Sequence, residues 1–147
     1  LYLQHLIYNT VRPAGSGDLS SRWVLPDEIL TLPPVPAGQA AEILNGWLAY
    51  YLIGQTRPLP FFPKTGLAAA QILLSESKKS EDEKLQAARK AAATHYFGGK
   101  MNVGQADYAE VALVFGKDET PPIESELFWL LVENLLLPTL SALQEAV

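Results

Sequence analysis

Residues 37–54 read AGQAAEILNGWLAYYLIG, and the spacing of their apolar positions decides the fold class. Ala40, Ile43, Leu44, Trp47, Leu48 and Tyr51 fall at i, i+3, i+4, i+7, i+8 and i+11, the period of one helix face. The pattern predicts an amphipathic helix that Gly54 ends in a left-handed turn. Burying the larger side chains of this stripe, at roughly 1.5 to 3 kcal/mol each, anchors the expected fold.

Toward the N-terminus the signals change. Pro33, Pro34 and Pro36 stop any sheet, because proline donates no ladder hydrogen bond. Before them, RWVL and EILTL flank Pro26-Asp27, and β-branched and aromatic residues on both sides of a proline turn predict a small hairpin. The first segment, LYLQHLIYNTV, places Leu3, Leu6, Ile7 and Thr10 at helical spacing and ends in the breakers Pro13, Gly15, Ser16 and Gly17. Opening at Leu1 directly in such a segment, the chain is expected to be a piece of a longer protein.

Toward the C-terminus, RPLPFFP carries three prolines and two phenylalanines in seven residues, which predicts a rigid, extended segment packed by its rings. Thr65 is expected to cap a helix through Leu74. Ser80 and Glu83 have capping-box spacing and predict a helix to about Tyr96, stopped by Gly98-Gly99. The stretch from Gly98 to Ala106 reads as a mobile loop. Asp107 and Glu110 repeat the capping spacing before YAEVALVFG, for which a short helix is expected, with a strand as the alternative. Thr120-Pro121 then opens a last helix, apolar on nearly every face, which Pro138 should kink or end near residues 134–137. The expected class is α+β, predominantly helical with a small β-hairpin, in a single domain over residues 1–147.

A chain of 147 residues without cysteine is long enough for a core without staples, and it excludes disulfides, thiolate metal sites and a cysteine nucleophile. A net charge of −5 disfavours free-standing nucleic-acid binding, which depends on lysine and arginine displacing counterions. The basic residues Lys78, Lys79, Lys84, Arg89 and Lys90 are interleaved with Glu76, Glu81, Asp82 and Glu83, so their field is largely cancelled. The longest apolar stretch, Leu127 to Leu143, is interrupted by Glu133, Asn134 and Pro138 and reads as soluble rather than membrane-spanning. No signal-peptide pattern opens the chain.

Catalytic patterns are sparse. Pro26-Asp27 followed by Glu76-Ser77-Lys78 or Asp82-Glu83-Lys84 has the residue types of a magnesium-dependent nuclease, but both acid-x-Lys strings lie in a charged run with no strand to hold them. The reading is therefore a solvated face, with Asp27, Glu76 and Lys78 kept as the nuclease alternative. His5 and His95 lack a second metal ligand at helical spacing and read as packed histidines. No Gly-x-Ser-x-Gly elbow or phosphate loop is present. No catalytic residue, metal ligand or cofactor is assigned. Lys64, beside Phe61 and Phe62, is a weak candidate for single-stranded DNA contact through ring stacking.

The ordered segments LQHLIY, RWVL, LPPVP, LAYYLIG, PLPFFPKTG, KLQAARKA, GQADYAEVALVFG and ENLLLPTLSAL together resemble the C-terminal region of the exodeoxyribonuclease V gamma chain family, the RecC subunits of bacterial RecBCD helicase–nucleases. The resemblance implies part of a restriction-endonuclease-like domain that has lost catalysis, with the metal-binding positions of its active relatives upstream of LYLQHLIY. It implies a cytoplasmic, noncatalytic role in double-strand-break repair and homologous recombination. There the chain would assemble with the alpha (RecD) and beta (RecB) helicase subunits, which bind ATP, and guide DNA strands through the whole complex. Candidate subunit contacts are Phe128, Trp129 and Val132 on the last helix and Phe61 and Phe62 in the aromatic segment; the same residues also fit the fragment's own core.

Overall fold

The computed structural model describes residues 2–13, 15, 17–24, 26–27, 29–78, 80–99, 102–116 and 120–144. The protein is mostly helical, with a small antiparallel hairpin, as the sequence predicts. Its backbone groups into two compact units, Leu1–Gln55 with Ser141–Val147, and Thr56–Leu140.

In the first unit, helix α1 (Tyr2–Val11) is followed by strands β1 (Ser21–Val24) and β2 (Ile29–Leu32) and by helix α2 (Ala37–Gly54). The strands pair antiparallel, with Trp23 opposite Leu30 and Ser21 opposite Leu32. Leu30 and Leu32 face the core while Val24 and Ile29 face outward, the alternation a two-sided strand requires. Leu25 and Glu28, which flank the turn, lie outside the described residues. Tyr2, Leu6, Leu30, Leu32 and Ala40 form the core, with Trp23, Val35, Ile43, Leu44, Ala142 and Leu143 packed against it.

The buried face of α1 is Tyr2, His5, Leu6 and Asn9, one position away from the predicted one; Leu3 and Ile7 are exposed. Polar partners decide this. His5 and Asn9 find enough hydrogen bonds inside to be buried, which apolar periodicity cannot register.

Helix α2 also departs from expectation. Only Ala40 is fully buried, and Leu48, Tyr51 and Leu52 are 52%, 62% and 56% exposed. An 18-residue helix is about 27 Å long, whereas the element packed against it, the ten-residue α1, spans only about 15 Å. Helix α1 is too short to cover the second half of the stripe. Gly54 does not adopt a positive φ; the helix ends on Gln55 in a right-handed conformation.

The second unit contains helices α3 (Pro63–Leu74) and α4 (Glu81–Phe97), the two-residue strands β3 (Gly98–Gly99) and β4 (Asn102–Val103), and helix α5 (Ala109–Phe115). A last helical run follows: α6 (Glu126–Leu131), a π-helical turn (Val132–Leu136) and α7 (Leu137–Gln144), whose end belongs to the first unit. Buried Ala69 and Ala70 on α3, and Ala88 and Ala92 on α4, let these two helices approach closely. Gly66 serves α3 in the same way, because a Cβ there would meet Leu136 Cδ1 of the π-helical turn.

Local chemistry sets the helix ends. The predicted capping box is present: Ser80 Oγ accepts from the Glu83 N–H at 3.3 Å, and Glu83 Oε2 accepts from the Ser80 N–H at 2.8 Å. Thr65 is not a cap. The helix starts at Pro63, and the Thr65 N–H donates to Gln105 Oε1 at 2.9 Å, a cap supplied from 40 residues away. Asp107 accepts from the Gly104 N–H at 3.2 Å and so closes the turn before α5, rather than starting the helix after it. Ser125, not Thr120, caps α6 by accepting from the Phe128 N–H at 3.2 Å.

One further expectation changes. The stretch beginning at Gly98 is a tight antiparallel pairing of β3 with β4, not an open loop. Gly98 takes φ 76°, and a side chain at Gly98 or at Gly104 would strike the opposing backbone. Of the two outcomes expected of Pro138, a kink or an end, the helix does not end; it is irregular near the expected place, at the π-helical turn Val132–Leu136, and continues as α7. The π-helical turn widens the coil ahead of Pro138, relieving the clash of a proline ring with the carbonyl four residues earlier. The helix from Glu126 to Gln144 is long and apolar enough to cross a membrane by length and composition, although Phe128, Leu131, Val132, Leu135 and Leu136 are spent on packing inside the second unit.

Candidate interaction surface

Phe62 is the hub of the second unit. Its ring centroid lies 5.1 Å from Tyr96, 5.5 Å from Phe115 and 6.4 Å from Phe128, distances at which edge-to-face and tilted rings attract. Phe62, Phe128 and Val132 are buried at 4%, 1% and 0% exposure. These three predicted contact residues therefore belong to the fragment's own core, the alternative their sequence left open. Phe61 and Trp129 are half-buried and keep part of their surface outside.

Trp129 leads to a surface groove. About 430 Å³ in volume, it is lined by Arg89, Ala93 and Phe97 of α4, by Ile123 and Glu124 of the short 3-10 turn Pro122–Glu124, and by Trp129 of α6. Arg89, Ala93 and Phe97 share a line along α4 because they are four residues apart. The Arg89 guanidinium stands 6.0 Å from the Trp129 ring centroid, and Phe97 is 53% exposed. Apolar walls with one cation and one carboxylate make a surface for a peptide or side chain; nothing in the set resembles a nucleophile with its base.

The remaining predicted residues are placed individually. Lys64 is exposed and its Nζ donates to the Tyr108 hydroxyl at 3.4 Å, so a phosphate would have to compete with that contact. Asp27, in the hairpin turn of the first unit, is exposed, as are Glu76 and Lys78 of the second. Among the described residues no group of three or more His, Asp or Glu side chains is placed to hold a metal ion. Lys79 of the basic run lies outside the described residues.

His5 is a packed histidine. Its Nε2 lies 3.0 Å from the Pro33 carbonyl and its Nδ1 2.7 Å from the Ser21 hydroxyl. A neutral ring satisfies both: Nε2–H donates to the carbonyl and Nδ1 accepts from the hydroxyl. Burial pushes its pKa below the usual histidine value, outweighing the Pro33 hydrogen bond that acts in the opposite sense. Asn9 completes the lattice. Its Nδ2 donates to the carbonyls of His5 at 2.9 Å and Leu19 at 3.2 Å, and its Oδ1 accepts from the Val35 N–H at 3.0 Å. These bonds fasten α1 to both flanking connectors.

The comparison with known families falls on the N-terminal half of the chain, from α1 into α3. Residues 1–73 match the family model described as the RecC C-terminal domain. Over these residues the chain belongs to the RecC C-terminal domain family. The RecC match covers LQHLIY, the hairpin, the proline connector, LAYYLIG and PLPFFPKTG; the later segments of the resemblance, and the groove at Arg89 and Trp129, lie beyond it. No curated protein matches the chain. RecC is a subunit of the RecBCD complex, exodeoxyribonuclease V, which acts in DNA repair and recombination.

Sequence reasoning missed the placement of Arg89, Phe97 and Glu124 in one groove. The i, i+4, i+8 spacing of Arg89, Ala93 and Phe97 was a usable signal for the α4 wall. Glu124 had none, since a residue 27 positions beyond Phe97 enters the groove only through tertiary packing.

Proposed function

We propose that this chain is a noncatalytic assembly module of exodeoxyribonuclease V, working in the cytoplasm. It helps seat the alpha (RecD) and beta (RecB) helicase subunits and guides DNA strands as part of the complex, within a restriction-endonuclease-like domain that has lost catalysis. The observation that carries the reading is the RecC C-terminal match over residues 1–73.

Two physical features support it. Within the matched segment, α2 leaves Leu48, Tyr51 and Leu52 exposed, with Ile7 and Val11 exposed on α1, and exposed apolar side chains in number are characteristic of protein contact surfaces. The net charge of −5 favours protein over phosphate as the direct partner of this region.

The test is size-exclusion chromatography with light scattering on the full-length protein, alone and with each purified helicase subunit. Co-elution with at least one subunit is expected. Failure to associate with either refutes the assembly reading, and magnesium-dependent cleavage of single-stranded DNA abolished by Asp27→Ala refutes the noncatalytic one.

A further inference from the structure

We propose that the groove between Arg89 and Glu124 docks a protein segment presenting an apolar side chain between an acidic and a basic residue. The inference rests on the assembly reading above and gives it a site outside the matched residues.

Arg89 and Glu124 line one groove without closing on each other. Lys84 pairs with Glu81 on the same helix, and the Arg89 guanidinium stands 6.0 Å from the Trp129 ring centroid. The groove thus offers a guanidinium and a carboxylate that are not paired with each other, among the apolar side chains of Ala93, Phe97, Ile123 and Trp129.

An occupant that fills the floor expels water from both charges, and a charge buried without a partner is strongly unfavourable. The occupant that avoids this supplies an acid to Arg89, a base to Glu124 and an aliphatic or aromatic anchor between them. Buried aromatic and arginine anchors of this kind concentrate binding energy in protein interfaces. A nucleic-acid strand fits poorly. Its phosphates would meet Glu124 inside the groove, and Glu81, Asp82 and Glu83 occupy the first turn of the same helix.

The experiment places a photo-reactive benzoylphenylalanine at position 97 of the full-length protein, assembles it with the helicase subunits and maps the cross-linked peptide by mass spectrometry. The expected product joins position 97 to a helicase-subunit segment that carries an acid, an apolar residue and a base. Arg89→Glu and Glu124→Arg, both at exposed positions, should each lower its yield at least tenfold, whereas Glu81→Lys, outside the groove, should leave it unchanged. If the complex forms but the cross-link goes to DNA, to the same chain or to nothing, or is indifferent to the two charge reversals, the docking inference falls and the assembly reading stands. If no complex forms, both fall.

Discussion

The first unit closes its core around Leu6 and Leu32 with a lattice of polar groups, whereas the second closes its core around Phe62 and Phe128 with rings. His5 and Asn9 in the first unit hold α1 to Ser21, Leu19, Pro33 and Val35, so its geometry is fixed by directional bonds in addition to apolar packing. In the second unit, Phe62, Tyr96, Phe115 and Phe128 fill the interior, and buried alanines set the spacing of the helices. The difference teaches where each unit is vulnerable. Volume matters most in the second, and loss of a single acceptor or a change of protonation matters most in the first.

Phe128→Ala should break the comparison most forcefully. Removing a fully buried ring is expected to cost about 3–5 kcal/mol, read as a lower urea midpoint. Hydrogen exchange should accelerate in α3 and α4 before it does in α1. Equal acceleration everywhere would mean that the two units unfold as one.

Asn9→Ala tests the other side. It strands the Val35 N–H and the Leu19 carbonyl, and a group left unpaired away from water costs about 1–3 kcal/mol. The expected signature is faster exchange at the Val35 amide with α4 unaffected. A loss below a few tenths of a kcal/mol would show that water replaces the asparagine and that the lattice contributes little.

The smallest effect is expected from pH. Because the folded pKa of His5 lies below its unfolded value of 6.5, the unfolded chain takes up this proton first. His5 therefore contributes its full stabilisation above about pH 6.5 and loses it as pH falls through the window down to the folded value. Urea titrations between pH 7.5 and 5 should show stability falling in that direction, with a shallower fall in His5→Gln. An identical slope in the variant would remove His5 from the account.

The existence and order of most elements are legible in the sequence. Ser80 with Glu83, the proline turn at Pro26-Asp27 and the 3.6-residue period from Ala37 act through neighbouring residues, and such local signals survive in one dimension. The candidate site was less legible. Trp129 was singled out from its helix, but whether it or Phe128 faces inward depends on which side meets Phe62, a contact 66 residues away in the chain. The capping role of Gln105 at Thr65 was hidden for the same reason.

By itself, then, the sequence determined the helices, the first hairpin and the ordered segments that tie the chain to RecC, because dihedral preference, capping and periodicity are local. Tertiary structure decided the rest. It buried His5 and Asn9 through partners on other elements, left Leu48 and Tyr51 outside because the ten-residue α1 cannot cover an 18-residue helix, and brought Glu124 to the groove that Arg89 lines. Burial and charge pairing depend on what lies opposite a side chain, and that is fixed only when distant segments pack.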